Sequence, residues 1–157
     1  MVLLMRIKVL FIPFDFSDFP GSGNPTSIYS QDMVKFKEWV KWYSNGKRSV
    51  QVETTEKWIR ASKPSTAYSD YLGHANEKNQ LAFEMLLQDS ENVFDYTGID
   101  AVFLIFPTGI KTFPTESTRS ARIMTNKGLL NIGIYATGQT LFNQRQELWF
   151  WLTHELL

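Results

Sequence analysis

From Ile7 to Phe16 the chain reads IKVLFIPFDF, almost wholly apolar and rich in β-branched and aromatic residues. That pattern predicts a strand covered on both faces. Pro13 has no N–H for a ladder, so a bulge or strand end is expected there. The next segment, SDFPGSGNPTS (Ser17–Ser27), is dense in Gly, Pro, Ser and Asn and predicts a loop. Ser30–Ser44 then takes helical periodicity. Val34, Phe36, Trp39, Val40 and Tyr43 form an apolar stripe, and Lys35, Lys37, Glu38 and Lys41 fall outside it. Ser30 is expected to cap this helix, with Tyr29 and Val34 as a hydrophobic staple and Asn45-Gly46 as its left-handed stop.

The alternation of Ser49–Ala61 (SVQVETTEKWIRA) predicts a strand with Val50, Val52 and Trp58 or Ile59 inward. Ser62–Leu72 reads as loop. Asn76–Leu87 reads as a second helix with Leu81, Phe83, Met85 and Leu86 on its apolar side. A turn beginning at Val93 leads into a buried strand, Ala101–Phe106. Gly109–Ser120 is a polar loop, Ala121–Thr125 a short edge strand, and Leu129–Tyr135 a further strand. Ala136-Thr137-Gly138 turns the chain toward a final amphipathic helix, Gln144–Leu157. Strands alternating with helices indicate one α/β domain over residues 1–157, with some parallel pairing.

Composition narrows the function. Sixteen basic residues balance sixteen acidic ones, which argues against a nucleic-acid footprint or a polybasic membrane surface. The apolar fraction of 43% is ample for a packed core. Absence of cysteine excludes disulfides and thiolate metal sites. The apolar start MVLLMRIKVLF is interrupted by Arg6 and Lys8 and lacks a small-residue cleavage site, so a strand is expected there and not a signal peptide. No stretch has the apolar length of a membrane span.

Candidate chemistry is sparse. Asp15 and Asp18 flank the first loop, where they can serve turn geometry or contact a cation or substrate. His74, in LGHAN, is one of two histidines and is read either as a ligand or as a capping or solvent residue before the second helix. The other, His154, stands beside Glu155 near the end of the last helix, QRQELWFWLTHELL. Zinc peptidases carry His-Glu-x-x-His on a helix because residues four apart share a face and can bind one ion. His154, Glu155, Leu156 and Leu157 supply the first four letters. The fifth falls on the position after Leu157. An apolar helix without a Gly or polar cap is expected to continue, and its exposed end to promote self-association.

Several pieces in order resemble the immune-inhibitor-A-like zinc metallopeptidases. Phe14-Asp15-Phe16-Ser17-Asp18-Phe19-Pro20 is similar to the run that ends the family's first strand. Trp42-Tyr43-Ser44-Asn45-Gly46-Lys47 is similar to the segment closing its first helix. Phe94-Asp95-Tyr96-Thr97-Gly98-Ile99-Asp100-Ala101-Val102 resembles its Tyr/Asp-rich turn and following strand, and His154-Glu155-Leu156-Leu157 its catalytic helix. The resemblance covers nearly the whole chain, loosely in the middle. It implies a zincin-like N-terminal subdomain, a mixed twisted sheet packed against helices and ending in the active-site helix.

It further implies a peptide or protein substrate and an extracellular setting. His154 would be a zinc ligand, and Glu155 the base that takes a proton from metal-bound water and passes it to the leaving amine. Either Ala121–Thr125 or Leu129–Tyr135 would pair with the extended substrate as a rim strand. With one ligand of three, these 157 residues alone are expected neither to retain zinc nor to cleave peptides. The alternative is a non-catalytic α/β binding or assembly module, with Tyr68, Tyr71 and the tryptophans contacting glycans or proteins.

Overall fold

In the computed structural model, residues 4–70, 72, 79–125, 128–138 and 147–156 are described. The strands are β1 (Met5–Asp15), β2 (Arg48–Glu53), β3 (Ile59–Arg60), β4 (Ala101–Ile105), β5 (Ser117–Thr125) and β6 (Gly128–Ala136). The helices are α1 (Pro25–Ile28), α2 (Ser30–Tyr43), α3 (Asn79–Ser90) and α4 (Leu148–Leu156), with a 3-10 turn at Ser65–Tyr68. The sheet runs in the order β2-β1-β4-β6-β5, and β3 joins β1 beyond the end of β2. β1 is parallel to β2 and β4, and β4 to β6; only β5 is antiparallel, paired with β6 from Ser117↔Ala136 to Thr125↔Gly128. The fold is a mixed, mostly parallel α/β sheet packed against helices.

The unbroken apolar run Val9–Phe14 of β1 is explained by cover on both faces. Leu10, Ile12, Phe14 and Phe16 enter one core with Val102, Leu104, Ile132 and Ile134 beneath Ala82, Phe83, Leu86 and Leu87 of α3. Val9 and Phe11 enter the other core with Phe103 and Ile105 beneath Phe36 and Val40 of α2 and Leu148, Trp151 and Leu152 of α4. Strand alternation sorts neighbouring residues between the two cores. Each large apolar side chain so buried contributes roughly 1.5–3 kcal/mol by transfer from water. Pro13 is paired with Ile105 of β4. On the opposite edge it falls between the last β2 partner, Leu10, and the first β3 partner, Phe14.

Several expectations are corrected. The loop before α2 contains α1, because the Asn24 side chain accepts from the N–H groups of Thr26 and Ser27 and Pro25 fits the first helical position. Tyr29, not Ser30, holds the N-cap position of α2, without a side-chain cap. The staple is absent: Tyr29 packs on Phe11, while Val34 is exposed. The buried stripe of α2 comprises Phe36 and Val40, with Met33 packed beside them, and Tyr43 lies outside it. Asn45 and Gly46 do stop the helix at φ 52° and 75°.

The strand predicted over 49–61 is two strands, β2 and β3, on successive stretches of one β1 edge. The second long helix starts no earlier than Asn79 within the described residues and runs on to Ser90. Its buried face is Asn79, Ala82, Phe83, Leu86, Leu87 and Ser90, whereas Leu81 is exposed. β5 is nine residues long and begins at Ser117 inside the predicted polar loop. Pairing with β6 overrides the polar composition of Ser117–Ser120. Residues 76–78 and 144–146, parts of the predicted helices, lie outside the described residues.

Candidate functional site

The end of α4 is built from both sides. At its first turn Asp32 of α2 accepts the Trp149 N–H at 3.1 Å, and Lys35 pairs with Glu147 at 3.4 Å. Burial raises the Asp32 carboxyl and the Glu147 charge adds to this, while the Trp149 N–H opposes it. Leu148, Trp151 and Leu152 bury the sheet-facing stripe of α4, Trp151 edge-on to Phe103 at 5.6 Å. Glu155 follows Trp151 and Leu152 by four and three residues, so helical spacing continues that stripe through it.

Glu155 is accordingly half-buried, and desolvation raises its carboxyl above the usual range. The Glu116 charge pushes the same way; the neighbouring His154 and the Trp151 indole N–H oppose it. Tyr135 of β6 feels Glu155 in turn: burial raises its phenol first, and the Glu155 charge raises it further. The surroundings of this carboxylate are therefore Tyr135, Trp151 and Glu116. Tyr135 could have been placed by strand alternation on β6, since it lies opposite in phase to Ile132, Ile134 and Ala136. Glu116 carried no sequence signal, because β5 was expected to start later.

His154, one residue earlier, faces elsewhere. It is exposed at the mouth of a groove with Trp39 and Tyr43 of α2 and Phe150 and Thr153 of α4. Trp39 and Tyr43 stack there at 4.9 Å and 14°. The expected metal site thus contributes one imidazole, with Glu155 beside it. Among the described residues no group of three or more His, Asp or Glu side chains converges as an ion site. Among the described residues, the ligand set that a zinc ion needs is incomplete. Leu157 lies outside the described residues.

The two acids of the first loop hold the fold together. Asp15 is buried, takes a two-point ion pair from Arg60 at 2.7 and 3.0 Å, and accepts the Gly21 N–H at 2.9 Å. Asp18 accepts the Ser65 N–H at 2.7 Å and its hydroxyl at 2.6 Å. Burial works against Asp18 ionising, but these Ser65 bonds outweigh it and hold the carboxyl below its ordinary value. Asp15 thereby locks the end of β1 to β3, and Asp18 the loop to the 3-10 turn.

His74 and Tyr71 lie outside the described residues. Tyr68 is fully buried against Phe16, so it is a core residue and not a contact for glycans or partners. Tyr96, within the stretch resembling the family's turn, is also buried. Its hydroxyl bonds the Leu87 carbonyl at 2.6 Å and meets Ser90 Oγ, and burial pushes its phenol up to about 12. No helix among the described residues is long and apolar enough to cross a membrane. No protein-family model matches this chain, and no curated protein matches it.

Proposed function

We propose that the chain is the N-terminal part of a zinc-dependent metallopeptidase catalytic domain, zincin-like in fold. In this reading His154 is a metal ligand, Glu155 the general base, and a peptide or protein the substrate. The observation that carries it is the position of Glu155. It stands near the described end of α4, on the sheet-facing side, in surroundings that raise its carboxyl. A carboxylate raised by desolvation takes a proton more readily than a solvated one, as water activation requires. Zinc, when bound, would supply a polarised water and a Lewis acid for the scissile carbonyl. His154 would give it one imidazole, and the remaining donors must come from residues outside those described.

The strand order supports the rim expected in this reading, and it separates the two candidates. β6 lies between β4 and β5, whereas β5 is the edge strand among the described residues. The Arg122 carbonyl of β5 accepts the Gln80 side-chain N–H at 3.0 Å, so it is turned away from β6. Antiparallel alternation turns the backbone groups of Thr118 and Ser120 the same way. Those are the groups to which an extended peptide would add.

The test is the gene beyond codon 157 and the protein it encodes. The reading expects histidine as the next residue and glycine three further on. Glu155→Gln is expected to abolish casein cleavage while leaving zinc bound. Another residue in the next position, or full activity in Glu155→Gln, overturns it.

A second reading, a binding or assembly module, is favoured by one observation. Trp42, Tyr43 and Phe150 are 73%, 60% and 52% exposed on the outer side of α2 and α4. Self-association through this face would be lost in Trp42→Lys. His154→Ala and Glu155→Gln would then leave function intact.

A further inference from the structure

A cavity of about 180 Å³ lies between α1, the first turns of α2, the middle of β1 and the end of β2. Tyr29, Met33 and Lys37 are spaced four apart, so they line one face of α2 toward it. Phe11, Val52 and Pro25 also line it. Thr54, just past the end of β2, lines the wall, and its buried hydroxyl has no hydrogen-bond partner.

Charge is supplied from one place. Lys37 is exposed and, among the described residues, forms no ion pair; the two ion pairs belong to Lys35 and Arg60. A single ammonium above an apolar chamber matches a single negative charge on an apolar body. A phosphate dianion would ask for more donors than Lys37 and the Thr54 hydroxyl offer, since the Thr26 and Ser30 hydroxyls already donate to the carbonyls of Thr55 and Ser27. The volume sets the size, because a dry cavity of about 150 Å³ accepts a six-carbon ring.

We propose that this cavity binds a small organic monocarboxylate with an apolar body of about six carbons, its carboxylate on Lys37 and its tail against Phe11, Met33 and Val52. The site lies on the β2 side of α2 and is independent of the metallopeptidase reading.

The test titrates hexanoate into the 157-residue protein and follows side-chain methyl and aromatic NMR signals. Saturable shifts at Phe11, Met33 and Val52 are expected, with hexylammonium at least about tenfold weaker, a like-charge penalty of ordinary size. Lys37→Glu should reverse that preference. Lys37 is exposed, so the substitution leaves the core intact; the comparison of the two ligands on the unaltered protein stands even if it does not. Equal binding of the two ligands, shifts confined to other residues, or unchanged hexanoate affinity in Lys37→Gln overturns the proposal.

Discussion

At the scale of single residues, Glu155 is the sharpest handle. Its carboxyl is raised on folding by desolvation and by Glu116. The folded protein therefore holds that proton more tightly than the unfolded chain. Stability from this group is present at low pH and declines as pH rises through the ordinary carboxyl value and then the raised one. Glu155→Gln should consequently raise the melting temperature at pH 8, with the gap closing near pH 4. A lower melting temperature in the variant at pH 8 would contradict the assignment. Asp18 has the opposite sign: its stabilisation is present above its ordinary value and is lost as pH falls through the lowered one. Gly138 tests close packing, because an added Cβ would meet the Thr115 carbonyl oxygen at 2.2 Å. Gly138→Ala should cost about 1–3 kcal/mol in denaturant unfolding, as overpacking does.

At the scale of elements, α4 depends on its sheet-facing stripe. Leu152 is fully buried between α2 and the sheet, and Leu152→Ala should cost about 2–5 kcal/mol by the cavity it leaves. β5 offers a subtler check. Its outward amides, at Thr118 and Ser120, should exchange with deuterium faster than those of Arg119 and Ala121, which face β6. Uniform protection along β5 would contradict an open edge.

The central strands were legible because a strand buried on both faces leaves an unbroken apolar run, as in Val9–Phe14 of β1 and in β4. β5 was cut short because Ser117–Ser120 are polar and only their pairing with β6 makes them strand. The buried face of α3 was misjudged because it begins and ends on polar residues, Asn79 and Ser90, which hide its period. At the end of α4, His154 and Glu155 were found from their adjacency. Their different surroundings depend on β6 and α2, which local spacing does not encode. The loop position of Tyr68 conceals its burial against Phe16.

At the scale of the molecule, the sheet separates two cores and leaves two features at the end of α4. One is the aromatic rim that His154 joins, the other the Glu155 carboxylate over Tyr135. The first predicts association of the protein through an apolar face, seen in sedimentation as mass rising with concentration. Trp42→Lys should abolish that rise, and Trp42 is exposed enough for the fold to survive the change. The second is where the proposed water chemistry belongs.

That proposal turns on whether His154 binds metal. The most direct measurement is the zinc content, after exhaustive dialysis, of the product of the whole reading frame and of its His154→Ala variant. One zinc per chain, lost in His154→Ala but kept in Glu155→Gln, is the predicted result. A zinc-free protein, or equal zinc with and without the His154 imidazole, would contradict it.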